Sequence, residues 1–130
     1  MTENQATDTA VEQGQADARN ILALYKASQA ARSSDERDEA QRAVDEYPSS
    51  VQVRSAWTIY GEPLQAAQYR IELAGGGPAS WIIGDLTNDG GPYDARIEAQ
   101  GWGTPAFTIT LDDDEREALL WFVGQFIIEA

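Results

Sequence analysis

The side chains whose types could do chemistry are carboxylates and arginines in the middle of the chain. The carboxylates are Glu72, Asp85, Asp94 and Glu98, and the arginines are Arg54, Arg70 and Arg96. Two carboxylates at a defined separation in a cleft can hydrolyse a glycosidic bond. These residues alternate with apolar ones, however, so most fall on the polar face of a predicted sheet, where cross-strand arginine–carboxylate pairs are expected. A carboxylate-dependent hydrolase is therefore the third of our hypotheses, and no catalytic residue is predicted.

The composition further limits the catalytic and metal-binding sites that the chain could form, because it contains neither histidine nor cysteine. The usual general base near neutral pH, the commonest metal ligand and thiolate metal ligands are thus missing. The glycine run before Pro78 lacks the Lys-Ser/Thr of a phosphate-binding loop and is predicted to be a hairpin turn. We predict a protein that is not an enzyme and that needs no cofactor or metal.

Two acidic clusters are candidate partner-binding sites. One comprises Asp35, Glu36, Asp38 and Glu39, and the other comprises Asp112, Asp113, Asp114 and Glu115. Each cluster also stands where a helix is predicted to begin, and carboxylates there complement the helix dipole. Consecutive carboxylates diverge at a helix start, and no calcium-binding loop surrounds the second cluster, so no metal site is predicted there. Both interpretations of the clusters, interface or helix-start electrostatics, remain open at this point.

The net charge of the chain points to the kind of partner. With 22 acidic and 9 basic residues, the 130-residue chain carries −13 at pH 7 and has a pI near 4.1. Such a surface repels phosphates, so direct nucleic-acid binding is not expected, whereas a basic protein groove that normally holds nucleic acid would attract it. The alternative is that acidity only maintains solubility. No apolar run is long enough for a membrane span and the N-terminus has no basic signal region, so a cytoplasmic protein is predicted.

The N-terminal part is predicted to be helical from Ala16 onwards. Residues 1–15 carry few bulky apolar side chains and are expected to be flexible. Helical spacing of apolar residues predicts a hairpin of two helices over residues 16–47. Ser33 and Glu36 have the spacing of a capping box at the start of the second helix.

Residues 51–110 read as an antiparallel meander of four or five strands, because short alternating runs are separated by Gly, Pro, Asn and Asp. The residues predicted to point towards the core are Val51, Val53, Trp57, Tyr69, Ile71 and Leu73. Residues 112–129 follow as a helix that is apolar nearly all round. One side of this helix is predicted to pack on the sheet, and Trp121 and Ile127 to contact the N-terminal hairpin or a second copy of the chain. The fold class is therefore α+β in a single domain over residues 16–130, with a homodimer as an open alternative.

Four segments resemble a family of small acidic phage and prophage proteins. These segments are VQVRSAW at Val51–Trp57, GGPA at Gly76–Ala79, GDL at Gly84–Leu86 and WGTP at Trp102–Pro105. The family pattern has VQVRSGW, GGPA, GEL or GDL, and DWGTPW, so this chain departs from it with Ala56 for Gly, Gly101 for Asp and Ala106 for Trp. The resemblance covers about residues 36–130. It implies a mobile-genetic-element context and supplies no catalytic residues.

The leading hypothesis is a phage-encoded, non-enzymatic binding protein that inhibits or redirects a host system. Anti-CRISPR or anti-restriction activity by acidic nucleic-acid mimicry is its concrete form, with a basic, nucleic-acid-binding defence complex as partner. The residues predicted to bind the partner are the two acidic clusters and the aromatic residues Trp57, Tyr60 and Trp102. The runner-up is a phage or plasmid accessory protein with a structural or regulatory role.

Overall fold

The fold is an α+β arrangement of three helices and a five-stranded sheet, as predicted. The computed structural model describes residues 2–75 and 78–127. Its elements are α1 (Glu3–Ala30), α2 (Ser34–Glu46), β1 (Ser50–Ser55), β2 (Ala66–Ala74), β3 (Ala79–Asp85), β4 (Arg96–Gln100), β5 (Phe107–Thr108) and α3 (Asp113–Gly124). The centre of the predicted glycine turn, Gly76 and Gly77, and the predicted helical residues from Ile128 onwards lie outside the described residues.

The sheet is a meander in which every strand pairs antiparallel with its neighbour in sequence, in the order β1-β2-β3-β4-β5. Directly paired residues share one face of the sheet, so the register Val51↔Ile71↔Ile82↔Ile97 defines an apolar row across four strands. We call the face that carries this row the inner face. The opposite face, which we call the outer face, carries alternating polar residues. The turn-forming residues between the apolar runs thus predicted the topology correctly.

Helix α1 begins at Glu3 and not at Ala16 as predicted, so residues 3–15, which were expected to be flexible, are helical. Thr2 caps the helix by accepting a hydrogen bond from the backbone N–H of Gln5, whose side chain accepts one from Thr2 in return. Among the side chains described in the first half of this helix, the buried ones are all small, namely Ala6, Ala10 and Gly14, and Ala18 is the next small buried residue. A Cβ on Gly14 would stand 2.5 Å from Cγ1 of Ile109, so the helix backbone lies directly on the sheet. The small residues allow this close approach.

A single core lies between the helices and the inner face. Helix α1 packs on β3 and β4 and also on α3. Buried Phe122 of α3 belongs to the same cluster as Ile71 and Ile82 of the sheet. On the other side of α3 the ring of Trp121 meets that of Tyr25 on α1, with centroids 5.1 Å apart. This contact confirms that the N-terminal hairpin covers the second apolar side of the last helix.

Strand β1 departs from the prediction, because its apolar side chains are not buried. Tyr69 and Ile71 of β2 are buried as predicted, but Val51 is 44% and Val53 60% exposed. β1 ends at Ser55, so Trp57 is not a strand residue at all. The physical reason is the width of the helical layer, which lies over β3 and β4 and does not extend to the edge of the sheet.

Candidate binding surface at the β1 edge

The connection between β1 and β2, residues 56–65, projects from the end of the sheet, and we call it the arm. A local turn shapes it, in which the Glu62 N–H donates to the Ile59 carbonyl at 3.0 Å and Gly61 has a φ of 98°. Gln65, the last residue of the arm, connects it to the turn after β3 through a 3.2 Å hydrogen bond from Nε2 to the Asn88 carbonyl. The conformation therefore depends on backbone turns and one side-chain tether, and not on a core of its own.

The arm and β1 hold most of the exposed apolar surface of the described chain. Ten large apolar side chains are exposed among the described residues, and six of them fall between residues 51 and 64: Val51, Val53, Trp57, Ile59, Tyr60 and Leu64. Trp57 is 104% and Tyr60 103% exposed, so neither ring is covered by its own chain. Contiguous apolar surface of this kind is typical of an interaction site.

The outer face beside the arm carries two arginines, each held by a glutamine on the neighbouring strand. Gln52 pairs with Arg70 and Arg54 with Gln68 in the β1–β2 register. Gln52 Oε1 accepts hydrogen bonds from Nε and Nη2 of Arg70 at 3.1 and 2.8 Å, and Gln68 Oε1 accepts one from Nε of Arg54. The four side chains line an open cavity of about 500 Å³, which we call the arginine groove.

A second, adjoining cavity of about 950 Å³ connects the arginine groove to the arm. Arg54 and Gln68 line both cavities, and Trp57 and Leu64 of the arm form the apolar part of the second. On its polar side Gln68 Nε2 donates to Oδ1 of Asp85 at 2.9 Å. The surface therefore combines apolar walls with a few fixed polar groups, which is the usual make-up of a binding site.

The charge at this edge differs from that of the remaining surface. No acidic residue occurs between Glu46 and Glu62. Among the described residues the two salt bridges both belong to Arg96, with Asp94 at 3.7 Å and Glu98 at 3.3 Å. Within that part of the chain, Arg54 and Arg70 thus have no carboxylate partner, although acidic residues outnumber basic ones by 22 to 9.

The first acidic cluster lies on the first turns of α2, with all four side chains exposed. Ser33 caps the helix by accepting from the Glu36 N–H at 3.1 Å, but the carboxylate of Glu36 accepts from the N–H of Arg32 and not from that of Ser33. The predicted capping box is therefore half formed. Asp35, Asp38 and Glu39 point to solvent and are available to a partner.

The four carboxylates of the second acidic cluster have two different roles. Asp112 is the N-cap of α3, where Oδ1 accepts from the Glu115 N–H at 2.7 Å and Glu115 Oε1 accepts from the Asp112 N–H at 3.0 Å. This full capping box accounts for two of the four carboxylates as helix-start chemistry. Asp113 and Asp114 remain exposed on the first turn.

The predicted aromatic residues do not form one surface. Trp57 and Tyr60 lie in the arm, beyond the end of β1, which is the end of the sheet where β4 begins. Trp102 follows the other end of β4 and is 83% exposed. Three strand-to-strand spacings and the length of the sheet separate Trp102 from Trp57 and Tyr60. Trp102 is therefore not part of the candidate surface at the arm.

A buried polar network joins α1 and α2 to the sheet, and sequence reasoning did not identify it. Asp17 is 2% exposed, and its carboxylate accepts hydrogen bonds from Tyr47 Oη at 2.6 Å and from Oγ of Ser80. Ser80 is fully buried, so a substrate cannot reach this meeting point of a carboxylate, a tyrosine and a serine. Burial and the hydrogen bond to Asp17 raise the pKa of Tyr47 far above its ordinary value. The only sequence signal was an acidic residue on the apolar stripe of α1.

Comparisons with known proteins add no relative to this description. The sequence matches no protein-family model, and neither the curated proteins nor the solved structures contain a significant match. Within residues 2–75 and 78–127, no helix is both long and apolar enough to cross a membrane. The same residues contain no group of three or more carboxylates placed to hold a metal ion.

Proposed function

We propose that this chain is a non-enzymatic protein-binding protein whose contact surface is formed by the arm and β1. The observation that carries the proposal is the full exposure of Trp57 and Tyr60 in a segment that packs against little else. Tryptophan and tyrosine are the residues most enriched at the energetic centres of protein interfaces. Contact of these two rings with water is unfavourable in the free chain, and a partner that covers the rings removes it.

The exposed acidic residues support a partner with a basic surface. Asp35, Asp38 and Glu39 on α2 and Asp113 and Asp114 on α3 are exposed, and none of them forms a salt bridge among the described residues. A net charge of −13 speeds encounter with a basic surface and makes it dependent on salt. Because the chain resembles phage proteins, we propose a partner in a bacterial host, with a nucleic-acid-binding defence complex as our concrete hypothesis. An accessory protein of structural or regulatory role remains the alternative.

Of the four carboxylates considered for a hydrolase, Asp85, Asp94 and Glu98 each have a structural partner, which favours binding over hydrolysis. Asp94 Oδ1 accepts from the backbone N–H of Asp85 at 2.6 Å. Glu98 accepts from the indole Nε1 of Trp81 at 3.0 Å and pairs with Arg96.

Affinity capture from a bacterial lysate with matched variants tests the proposal. The immobilised parent chain is compared with a W57S/Y60S variant and with a W102S control, whose tryptophan is also exposed but lies at the other end of the sheet. We expect one host protein to be enriched by the parent and by W102S and lost from W57S/Y60S, with the purified host protein then binding the parent directly. Equal enrichment by all three folded proteins would contradict the proposal.

A further inference from the structure

We infer that β1 is a docking edge for an extended partner segment in which apolar and acidic side chains alternate. The segment would pair with β1 as a sixth strand of the sheet. This inference rests on the proposed function and names the chemistry of the partner segment that binds beside the arm.

The first observation is that β1 has a free edge. It is the first strand in the order β1-β2-β3-β4-β5 and is hydrogen-bonded only to β2. At six residues it is longer than β5, the two-residue strand at the opposite edge. A strand edge presents unpaired N–H and C=O groups that an extended peptide can satisfy.

The second observation is the apolar row on the inner face. Val51 lies opposite buried Ile71, and Val53 opposite buried Tyr69. The row that forms the core thus continues onto β1, where no helix covers it. A strand added beside β1 would bring its own inward side chains next to the two valines, so these side chains should be apolar.

The third observation is the arginine groove on the outer face. The outward side chains of an added strand would stand beside Gln52 and Arg54, about 5 Å away between Cβ atoms. Arg54 has no carboxylate partner among the described residues, and neither does Arg70 one strand further in. Because Gln68 and Gln52 orient the two guanidinium groups, a carboxylate on the added strand would meet donors already in place. The outward positions should therefore be aspartate or glutamate.

A second copy of this chain does not satisfy the same groups. β1 has the sequence Ser-Val-Gln-Val-Arg-Ser, which contains no acidic residue. Antiparallel pairing of two β1 strands would place Arg54 opposite glutamine or serine and leave the guanidinium groups without carboxylates. Charge complementarity thus favours an acidic segment of another protein over self-association.

Fluorescence anisotropy with synthetic peptides tests the inference on the full chain. The probes are a labelled peptide of alternating valine and glutamate and a matched peptide of alternating valine and lysine. We expect the acidic peptide to bind at least about tenfold more tightly than the basic one, and its affinity to fall as salt rises. Equal binding of the two peptides, preference for the basic one, or no binding of the acidic peptide would overturn the inference.

Variants and modified peptides separate strand addition from loose charge attraction. R54Q and R70Q should each lower the affinity for the acidic peptide by about two- to fivefold. R96Q should not lower it, because Arg96 already pairs with Asp94 and Glu98. Acidic peptides N-methylated at every valine or at every glutamate should differ in affinity, because only one set of N–H groups faces β1. Equal losses of affinity for the acidic peptide in R54Q, R70Q and R96Q would overturn the inference, and so would equal affinity of the two methylated peptides.

Two further results distinguish this inference from the proposed function. If the peptide fails to bind while W57S/Y60S still loses its host protein, the docking edge is wrong and the proposed function stands. If the peptide binds while W57S/Y60S captures host protein as the parent does, the docking edge stands and the function assigned to the arm is wrong. Self-association of the free chain that the peptide does not reverse would show that β1 pairs with β1, and would overturn the inference.

Discussion

Val53 lies directly opposite Tyr69 in the antiparallel β1–β2 ladder, yet Val53 is 60% exposed and Tyr69 only 1%. The two side chains share the inner face and are about 5 Å apart between Cβ atoms. The boundary of the hydrophobic core therefore falls between adjacent strands, and β1 extends the apolar face beyond the core formed by β2, β3, β4 and the helices.

This boundary predicts a contrast in stability between two neighbouring strands. Ile71→Ala should lower the free energy of unfolding by about 2–5 kcal/mol, because it removes a fully buried side chain. Val53→Ala should change it by less than about 0.5 kcal/mol, because the valine is largely exposed. Urea denaturation of both variants measures the difference. A loss of similar size in the two would mean that the core extends over β1.

The close contact of α1 with the sheet predicts that Gly101 cannot accept a side chain. A Cβ at Gly101 would overlap the backbone carbonyl of Ala6, so Gly101→Ala must push α1 away from the sheet. We expect a loss of about 1–3 kcal/mol in the free energy of unfolding. Gly124→Ala is the control, because a Cβ there meets no atom within 4 Å and alanine favours the helix, so this variant should be neutral or more stable. Equal thermal stability of Gly101→Ala and the parent would show that α1 does not approach the sheet as described.

The buried network predicts that Asp17 is a structural residue. Asp17→Ala would leave the hydroxyls of Ser80 and Tyr47 without their common acceptor in the interior, which should destabilise the chain by about 1–3 kcal/mol. Asp8→Ala, an exposed position on the same helix, should have little effect. Chemical denaturation compares the two. An Asp17→Ala variant that is as stable as Asp8→Ala would contradict the structural role.

Buried Tyr69 and half-buried Tyr47 predict a loss of stability at alkaline pH. Burial, and then the hydrogen bond to Asp17 for Tyr47 and the negative charge of Asp94 for Tyr69, raise the pKa of each tyrosine. In the unfolded chain a tyrosine loses its proton near pH 10, whereas in the folded chain these two retain it to higher pH. The unfolded state then binds fewer protons, so stability should be complete below about pH 10 and should fall as the pH rises further.

Stability curves between neutral and alkaline pH check this expectation with the variants Tyr47→Phe and Tyr69→Phe. Each variant should lose less stability than the parent over the same alkaline interval, because phenylalanine has no proton to release. Tyr60→Phe is the control, since its ring is fully exposed. If all three variants followed the parent curve, burial of the two hydroxyls would not control the alkaline transition.

The sequence predicted the meander well because Gly, Pro, Asn and Asp mark its turns. The buried side of β2, with Tyr69 and Ile71, followed from alternation alone. The burial of β1 could not be predicted in this way, because the alternation of Val51 and Val53 is the same whether or not a helix covers them. How far the helices reach across a sheet is a property of the assembled layers.

The first half of α1 was missed for a different reason. A search for bulky apolar residues passes over Ala6, Ala10 and Gly14, although small residues are what a closely packed helix requires. Part of the candidate site was also missed by sequence reasoning. Trp57 and Tyr60 were predicted as partner-binding residues, but the arginine groove depends on the register that places Arg54 opposite Gln68 and Arg70 opposite Gln52. That register is set by the folded hairpin.

The most direct test of the docking edge is amide-resolved hydrogen exchange of the full chain with and without the valine–glutamate peptide. Pairing of an added strand with β1 should slow exchange at alternate amides of Ser50–Ser55, because only every second N–H points to the free edge. Exchange in the cores of α1 and α3 should stay unchanged. Slowed exchange at the starts of α2 and α3 in place of β1, or no change in β1 at saturating peptide, would contradict the account.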